Sequence, residues 1–189
     1  IGGVRISPEE MEDFDPRGLL WAWEAPKPNE SYIVACDPTV GIPSWCRELR
    51  TSDDHETDNA AIEVIRVGRD GKKDVQVAEW AAPISPYDLV PVLNAVGRLY
   101  AGDSENGEAL MIVEAQPGPG IAICHELTHR YNYSNFWMWK KLDGAATIIT
   151  TSPGWYANSA HNQRELWIKG HYFILHGGLE INSPWLTQE

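Results

Sequence analysis

Two short apolar runs in this chain end on an acidic residue and are closed by proline and glycine. The first lies within Ser31 to Gly41 and stops on Asp37, and the second lies within Ala109 to Gly120 and stops on Glu114. Neither run alternates apolar with polar residues, which is typical of strands covered on both faces, as in a parallel sheet flanked by helices. Each run therefore predicts a buried strand with a carboxylate at its carboxyl end.

The residues between the two runs predict a hairpin. Ala60 to Val67 and Val75 to Trp80 are β-branched or alternating segments on either side of the turn-forming residues Gly68 to Lys72. Together with the first apolar run they predict three successive strands that pair as antiparallel neighbours.

The next segment has the spacing of a helix. Apolar residues recur three and four positions apart from Ser85 to Tyr100, and Gly102 follows as a stop signal. Pro91 argues against a helix that begins at Pro86. With Asp88 as the N-cap, Pro91 would fall in the first turn, where its missing N–H costs little, and we therefore expect the helix to begin at Asp88.

The remainder of the chain predicts two more helices and three short strands. The last helix, predicted over Asn158 to Lys169, is expected to turn Leu166 and Trp167 inward, toward the core. The helices are predicted over Ile121 to Tyr131 and Asn158 to Lys169, and the strands over Phe136 to Trp139, Ala146 to Thr151 and Tyr172 to Leu175.

The predicted order of elements is β-β-β-α-β-α-β-α, with acids after the first and fourth strands. This order resembles that of the ribonuclease H-like fold, an α/β fold with a mixed sheet of five or slightly more strands and helices on both faces. In that fold the first and fourth strands are parallel neighbours. We therefore expect Asp37 and Glu114 to lie side by side at the carboxyl ends of their strands, where sites commonly form.

Composition limits the class of protein. The chain has 189 residues, 43% of them hydrophobic, which is enough for one sizeable core, and no apolar run approaches the length that spans a membrane. Cys36, Cys46 and Cys124 form no Cys-x-x-Cys pair, which argues against a disulfide framework or a zinc ribbon and fits a reducing compartment. The formal net charge of −12 argues against binding of nucleic acid over the whole surface.

Contact with nucleic acid would then need a local basic strip or metal ions held by the acids. Adjacent carboxylates are oxygen ligands suited to Mg²⁺ or Mn²⁺, and two such ions can hold the attacking and leaving oxygens of a phosphodiester. Asp37 and Glu114 are the predicted ligands, and Asp58, which precedes a neighbouring strand, is a further one. The residues expected in a DNA-binding strip are Lys140, Lys141, Arg164 and Lys169.

Several segments, in their order and spacing, resemble the nuclease domain of the large terminase subunit of tailed bacteriophages. The resemblance covers most of residues 31–189, which it identifies as the nuclease domain, and leaves residues 1–30 as a lead-in segment or linker. The segments are Tyr32 to Pro38, Asp58 ahead of Ala60 to Val64, Leu99-Tyr100, Met111 to Glu114, Ile148 to Ser152 before a helix, and Glu180 to Glu189.

This resemblance implies a metal-dependent endonuclease that cuts concatemeric double-stranded DNA during packaging, with Asp37 and Glu114 as its first two metal-binding acids. It implies three partners, namely an ATPase domain preceding residue 1, the portal and the small terminase subunit. It also implies action in the cytoplasm of the infected bacterial host, away from the membrane. The third acid of the family has no counterpart in this sequence, so we expect it beyond Glu189 and expect the isolated chain to be weakly active or inactive.

Two other functions remain open from the sequence. The residues from His125 through Glu126 to His129 form a literal H-E-x-x-H, in which two imidazoles on a helix bind zinc and the glutamate serves as general base of a metallopeptidase. The extended form of that motif needs a histidine at the position of Asn135, and the next glutamate along the chain is Glu165. The third interpretation is a non-catalytic ribonuclease H-like module that binds DNA or a protein partner.

Overall fold

The computed structural model describes residues 20–39, 59–115, 119–142, 148–156, 160–184 and 186. Within these residues, none of the helices is both long enough and apolar enough to cross a membrane. The strands are β1 (Leu20–Ala22), β2 (Tyr32–Asp37), β3 (Ala60–Arg66), β4 (Asp74–Ala82), β5 (Leu110–Val113), β6 (Met138–Leu142), β7 (Ile148–Pro153) and β8 (Leu179–Glu180), and the helices are α1 (Pro86–Leu99), α2 (Pro119–Tyr131) and α3 (Ala160–Leu175).

A six-stranded mixed sheet forms the centre of the described domain. Its order is β1-β4-β3-β2-β5, and β8 also pairs with β4. Strands β2, β3 and β4 are antiparallel neighbours, whereas β2 runs parallel to β5. The structure thus confirms the mixed α/β sheet, the antiparallel hairpin and the parallel contact between the two strands that carry acids. The short strand β1, from the end of the predicted lead-in segment, pairs with β4.

The two faces of this sheet differ in how deeply their side chains are buried. In β2, Tyr32, Val34 and Cys36 are buried, whereas Ile33 and Ala35 are partly exposed. The buried face packs with residues of α1 and α2 in one hydrophobic core. The opposite face, which we call the open face, includes Ile33 and Ala35 of β2, Glu63 of β3, Glu79 of β4, and Leu110 and Ile112 of β5, all of them partly exposed.

Helix α1 begins three residues earlier than the sequence predicted. Its N-cap is Ser85, whose hydroxyl accepts a hydrogen bond from the Asp88 backbone N–H at 3.2 Å and donates one to the Asp88 carboxylate at 2.7 Å. The prediction of Asp88 as N-cap was therefore wrong. Pro91 is accommodated because it removes only the hydrogen bond to the carbonyl of Tyr87, in the first turn, while burial of the apolar face stabilises the helix. That face consists of Leu89, Val90, Leu93 and Val96.

The edge of β5 away from β2 is bordered by two short stretches of chain, one at Phe136 and one at Trp155, and a hairpin lies between them. Met111 forms a parallel bridge with Phe136, and Glu114 forms another with Trp155. Between these two points the chain makes the antiparallel hairpin β6–β7, whose strands begin about two residues later than predicted. The Gly154 N–H donates to the Trp137 carbonyl at 2.8 Å and closes the base of the hairpin. The hairpin therefore leaves the sheet next to Glu114.

Helix α3 is longer and more exposed than the sequence predicted. Leu166 and Trp167 were expected to face inward, but they are 54% and 78% exposed. The residues from Tyr172 to Leu175, predicted as a strand, continue the helix. Gly170 does not end it, because a glycine within a helix costs only about 1 kcal/mol. The helix ends instead at Leu175. Gly177, two residues further on, has a φ of +68°, which suits the left-handed position after a helix.

Candidate metal site at the ends of β2 and β5

The register of β2 and β5 sets the two predicted acids side by side. Cys36 pairs with Val113 in the parallel ladder, and the Glu114 N–H donates to the Cys36 carbonyl at 2.9 Å. Asp37 and Glu114 come directly after these two residues, so they lie at the same end of the sheet. The topology therefore brings together two acids that are 77 positions apart in the sequence (114 minus 37).

Both acids belong to the open face. Side chains alternate between the two faces along a strand. Asp37 therefore lies on the same face as Ile33 and Ala35, and Glu114 lies on the same face as Leu110 and Ile112. Asp37 is exposed and Glu114 is partly exposed. The register partner of Asp37 on β3 is Ala61, whose small side chain leaves space beside the carboxylate. An ion or a phosphate could therefore reach this end of the open face.

The thiol of Cys36 reports the negative charge at this end of the sheet. Burial is the main reason that the pKa of Cys36 lies well above its ordinary value, and the charges of Asp37, Cys124 and Glu114 raise it further. Both carboxylates thus act on the same buried sulfur from nearby. A divalent cation held by the two carboxylates would offset the negative charge that they bring to this end of the sheet.

The backbone around Glu114 is held from both directions. The Trp155 N–H donates to the Val113 carbonyl at 2.7 Å, and the Ala115 N–H donates to the Trp155 carbonyl at 2.6 Å. Gly120, in the first turn of α2, lies so close that a β-carbon there would collide with the Glu114 carbonyl oxygen. This close approach accounts for a glycine at that position, and it fixes where the Glu114 side chain begins.

A second pair of acids lies on the open face, and the sequence reasoning missed it. Glu63 of β3 and Glu79 of β4 are register partners. The Gln76 amide donates to the Glu63 carboxylate at 2.5 Å and to the Glu79 carboxylate at 3.4 Å. The available signal was an acid in the middle of each of two mostly apolar strands.

Burial controls the protonation of this second pair. It raises the pKa of Glu63 to about 7, which the hydrogen bond from Gln76 opposes and the charge of Glu79 supports. Burial also raises the pKa of Glu79, against hydrogen bonds with Ser183 and Gln76. These carboxyl groups point toward the Gln76 amide, so they are engaged in the fold.

The remaining predicted site residues lie on separate elements or outside the described residues. Asp58 lies outside them. Lys140 and Lys141 belong to β6, and the Lys140 side chain is exposed. Arg164 and Lys169 are exposed on α3, where Lys169 pairs with Glu165 at 3.1 Å. The basic residues expected in one DNA-binding strip thus occupy two elements, β6 and α3. Strand β6 belongs to the hairpin whose base lies beside Glu114.

The H-E-x-x-H residues lie on the outer surface of α2. His125 and His129 are exposed, and Glu126 is partly exposed. The core side of the helix consists of Ile123, Cys124 and Leu127. Among the described residues, no three His, Cys, Asp or Glu side chains come together as a metal-binding group, either here or at Asp37 and Glu114. The zinc-peptidase interpretation thus finds no third protein ligand in this part of the chain.

Fold and site together define an α/β domain with the strand order of the ribonuclease H-like fold and two carboxylates at adjoining strand ends. No family model and no curated protein sequence matches this chain. Among solved structures, the domain is similar to one described as the human cytomegalovirus terminase nuclease domain, with a TM-score of 0.44 and 8% sequence identity. The match covers 81% of this chain and 63% of that chain, so this chain spans less than two thirds of its length.

Proposed function

We propose that this chain is the nuclease domain of a large terminase subunit and cleaves concatemeric double-stranded DNA with Mg²⁺ or Mn²⁺. The observation that carries the proposal is the register of β2 and β5, which makes Asp37 and Glu114 neighbours at one end of the sheet. Two adjoining carboxylates on an accessible face form the donor set that these hard cations prefer. The sequence resemblance to phage terminases points to the same two acids.

In this proposal Asp37 and Glu114 would hold the metal ions, with Asp37 shared between the two. Bound metal ions supply an activated water molecule and stabilise the charge that develops on the phosphate. The carboxylates themselves hold the ions and need no histidine or serine nucleophile. Asp58 is retained as a further ligand.

DNA binding has to overcome the net charge of −12, so it must depend on local cations. Lys140 and Lys141 on the hairpin beside Glu114 are the first residues we assign to phosphate contact, and Arg164 and Lys169 on α3 are the second. Contacts of this kind position the duplex without reading its sequence. By resemblance, the partners are an ATPase domain, the portal and the small terminase subunit, in the cytoplasm of a bacterium infected by a tailed phage.

Cleavage of supercoiled plasmid by the full gene product that contains this chain tests the proposal. In Mn²⁺, Asp37→Asn and Glu114→Gln should each lower the cleavage rate by about 100-fold or more, because each removes a charged ligand that stabilises the transition state. Glu79→Gln is the matched control. It removes an acid from the same open face but from the pair bound by Gln76, and it should change the rate by less than about threefold.

Binding of Mn²⁺ by the chain itself provides the second measurement. The parent should bind Mn²⁺ in an electron paramagnetic resonance titration, and Asp37→Asn should weaken that binding by about tenfold or more. Cleavage at the parent rate by Asp37→Asn and Glu114→Gln would show the proposal to be wrong. The absence of both cleavage and Mn²⁺ binding at millimolar concentration would favour the non-catalytic module.

A further inference from the structure

The outer surface of α2 carries two histidines in contact with each other. His125 and His129 are one helical turn apart, and their ring centroids lie 4.2 Å from each other with an interplanar angle of 50°. The His125 side chain is 65% exposed, and His129 is also exposed. Both imidazoles are therefore accessible from solvent at the same place.

This arrangement is close to the one that two imidazoles adopt around one metal ion. Metal–nitrogen distances to histidine are about 2.0–2.1 Å. Two such nitrogens in adjacent coordination positions bring the ring centres to about 4.5–5 Å. The observed separation of 4.2 Å thus requires only a small side-chain rotation. Positions i and i+4 on a helix hold both rings on the same side without backbone movement.

We propose that His125 and His129 chelate one divalent transition-metal ion of the late first row, such as Ni²⁺, Cu²⁺ or Zn²⁺, on the outer surface of α2. Imidazole nitrogen suits these ions, whereas Mg²⁺ and Mn²⁺ prefer the oxygen ligands at Asp37 and Glu114. With two protein ligands the remaining positions belong to water. Cu²⁺ should bind most tightly, followed by Ni²⁺, in line with the general order of affinities for these metals.

This site is separate from the carboxylates at the end of the sheet. The buried side chains Ile123, Cys124 and Leu127 lie on the core side of α2, opposite the two histidines. Glu126 lies 3.9 Å from Nδ1 of His125, where its charge favours a cation at the pair. A metal that links residues one turn apart holds α2 in its helical form, so binding should stabilise the fold by mass action.

A calorimetric titration of the untagged chain with Ni²⁺ tests this site. We expect one ion per chain at the histidine pair, and His125→Ala or His129→Ala should each weaken binding by about tenfold or more, because a chelate becomes a single ligand. His171→Ala is the matched control, since it removes an exposed histidine from α3, and it should leave the Ni²⁺ affinity within about twofold. The rise in unfolding temperature with Ni²⁺ should disappear in the two α2 variants and persist in the control.

A variant with altered spacing separates chelation from the mere presence of histidines. The double change His129→Ala with Arg130→His keeps the number of histidines. It places the second ring about 140° around the helix from His125, compared with about 40° in the parent, at 3.6 residues per turn. Its Ni²⁺ affinity should match that of His129→Ala. The proposal is overturned if this variant binds as tightly as the parent, or if the parent binds no Ni²⁺ below about 1 mM, the weak range of a single ligand.

Discussion

Two pairs of acids share the open face of the central sheet, and their surroundings differ. Asp37 and Glu114 stand at the carboxyl ends of β2 and β5, where Asp37 is exposed. Glu63 and Glu79 stand within β3 and β4, directly opposite each other. The first pair faces the surface at the end of the sheet, whereas the second is bound to a buried amide. Position along the strand therefore separates acids at the accessible end of the sheet from acids that share a buried glutamine in its interior.

Glu63 and Glu79, which we call the inner acids, belong to a polar network that anchors the segment after β8. We call Asp37 and Glu114 the outer acids. The Gln76 side-chain oxygen accepts hydrogen bonds from the N–H groups of Asn182 at 2.9 Å and Ser183 at 2.7 Å. The Asn182 side chain donates to the Gln76 carbonyl at 2.6 Å. Gln76 is 1% exposed and Ser183 is fully buried. One glutamine thus joins both acids to a segment more than 100 residues away.

The anchored segment follows strand β8. This strand is parallel to β4, and β4 is parallel to β2 because both are antiparallel to β3. Strand β8 therefore runs in the same direction as β2. Through Gln76, the inner acids thus hold the residues that follow β8.

Replacement of Gln76 should have the largest effect on stability. Gln76→Leu keeps the volume of the side chain but leaves the N–H groups of partly buried Asn182 and fully buried Ser183 without their side-chain acceptor, and Glu63 without its donor. At about 1–3 kcal/mol for each buried group left unpaired, we expect the free energy of unfolding to fall by about 3–5 kcal/mol. Urea denaturation measures this loss, and hydrogen exchange at Asn182 and Ser183 should accelerate more than exchange in β2.

Gln163→Leu is the control for that prediction. It makes the same chemical change on the exposed surface of α3. There we expect the free energy of unfolding to change by less than about 0.5 kcal/mol. Equal effects of the two substitutions would mean that the network around Gln76 does not anchor the segment after β8, and the distinction between inner and outer acids would lose its main support.

Glu63→Gln should change the pH dependence of stability. The pKa of Glu63 is raised to about 7 in the folded chain, mainly by burial, from an ordinary value of about 4.5. The folded state thus binds the proton more tightly than the unfolded state, so stability is greatest below about pH 4.5 and falls as the pH rises to about 7. Glutamine removes this loss. The variant should be more stable than the parent at pH 8 by up to about 3 kcal/mol and nearly equal to it at pH 4.

Denaturation curves at several pH values measure this effect. The gain from Glu63→Gln should appear between pH 4.5 and pH 7 and remain constant above pH 8. A destabilised variant at pH 8 would mean that Glu63 is held as an anion in the fold, like an acid at the sheet end, and would contradict its assignment to the inner pair.

The strand arrangement could be predicted because short-range signals determined it. Each acid-tipped run is too short for a helix and is closed by turn-forming residues, so a buried strand was the consistent interpretation. The parallel contact of β2 and β5 then followed from the order of elements. The start of α1 was not predicted, although Ser85 and Asp88 form a capping box in the sequence. Pro91 favoured a later start, because a proline in the interior of a helix removes a hydrogen bond.

The inner acids could not be predicted, because their pairing depends on long-range register. A register shift between Val64 and Ile65 determines which residue of β4 faces Glu63, and no local pattern marks that shift. The partners of Gln76 lie 106 and 107 positions away. The exposure of α3 was missed for a related reason, since an apolar helix is expected to face a core unless its neighbours are known.

Among the substitutions of Gln76, Glu63 and Asp37, Asp37→Asn should have the smallest effect on stability. Asp37 is exposed at the end of β2, and replacement of an exposed acid usually changes the free energy of unfolding by less than about 1 kcal/mol. Without metal, urea denaturation of the variant should nearly coincide with that of the parent. With Mn²⁺, the parent should gain stability by mass action and the variant should not. A loss of about 3 kcal/mol without metal would instead make Asp37 a structural acid like Glu79, and the difference between the two pairs would disappear.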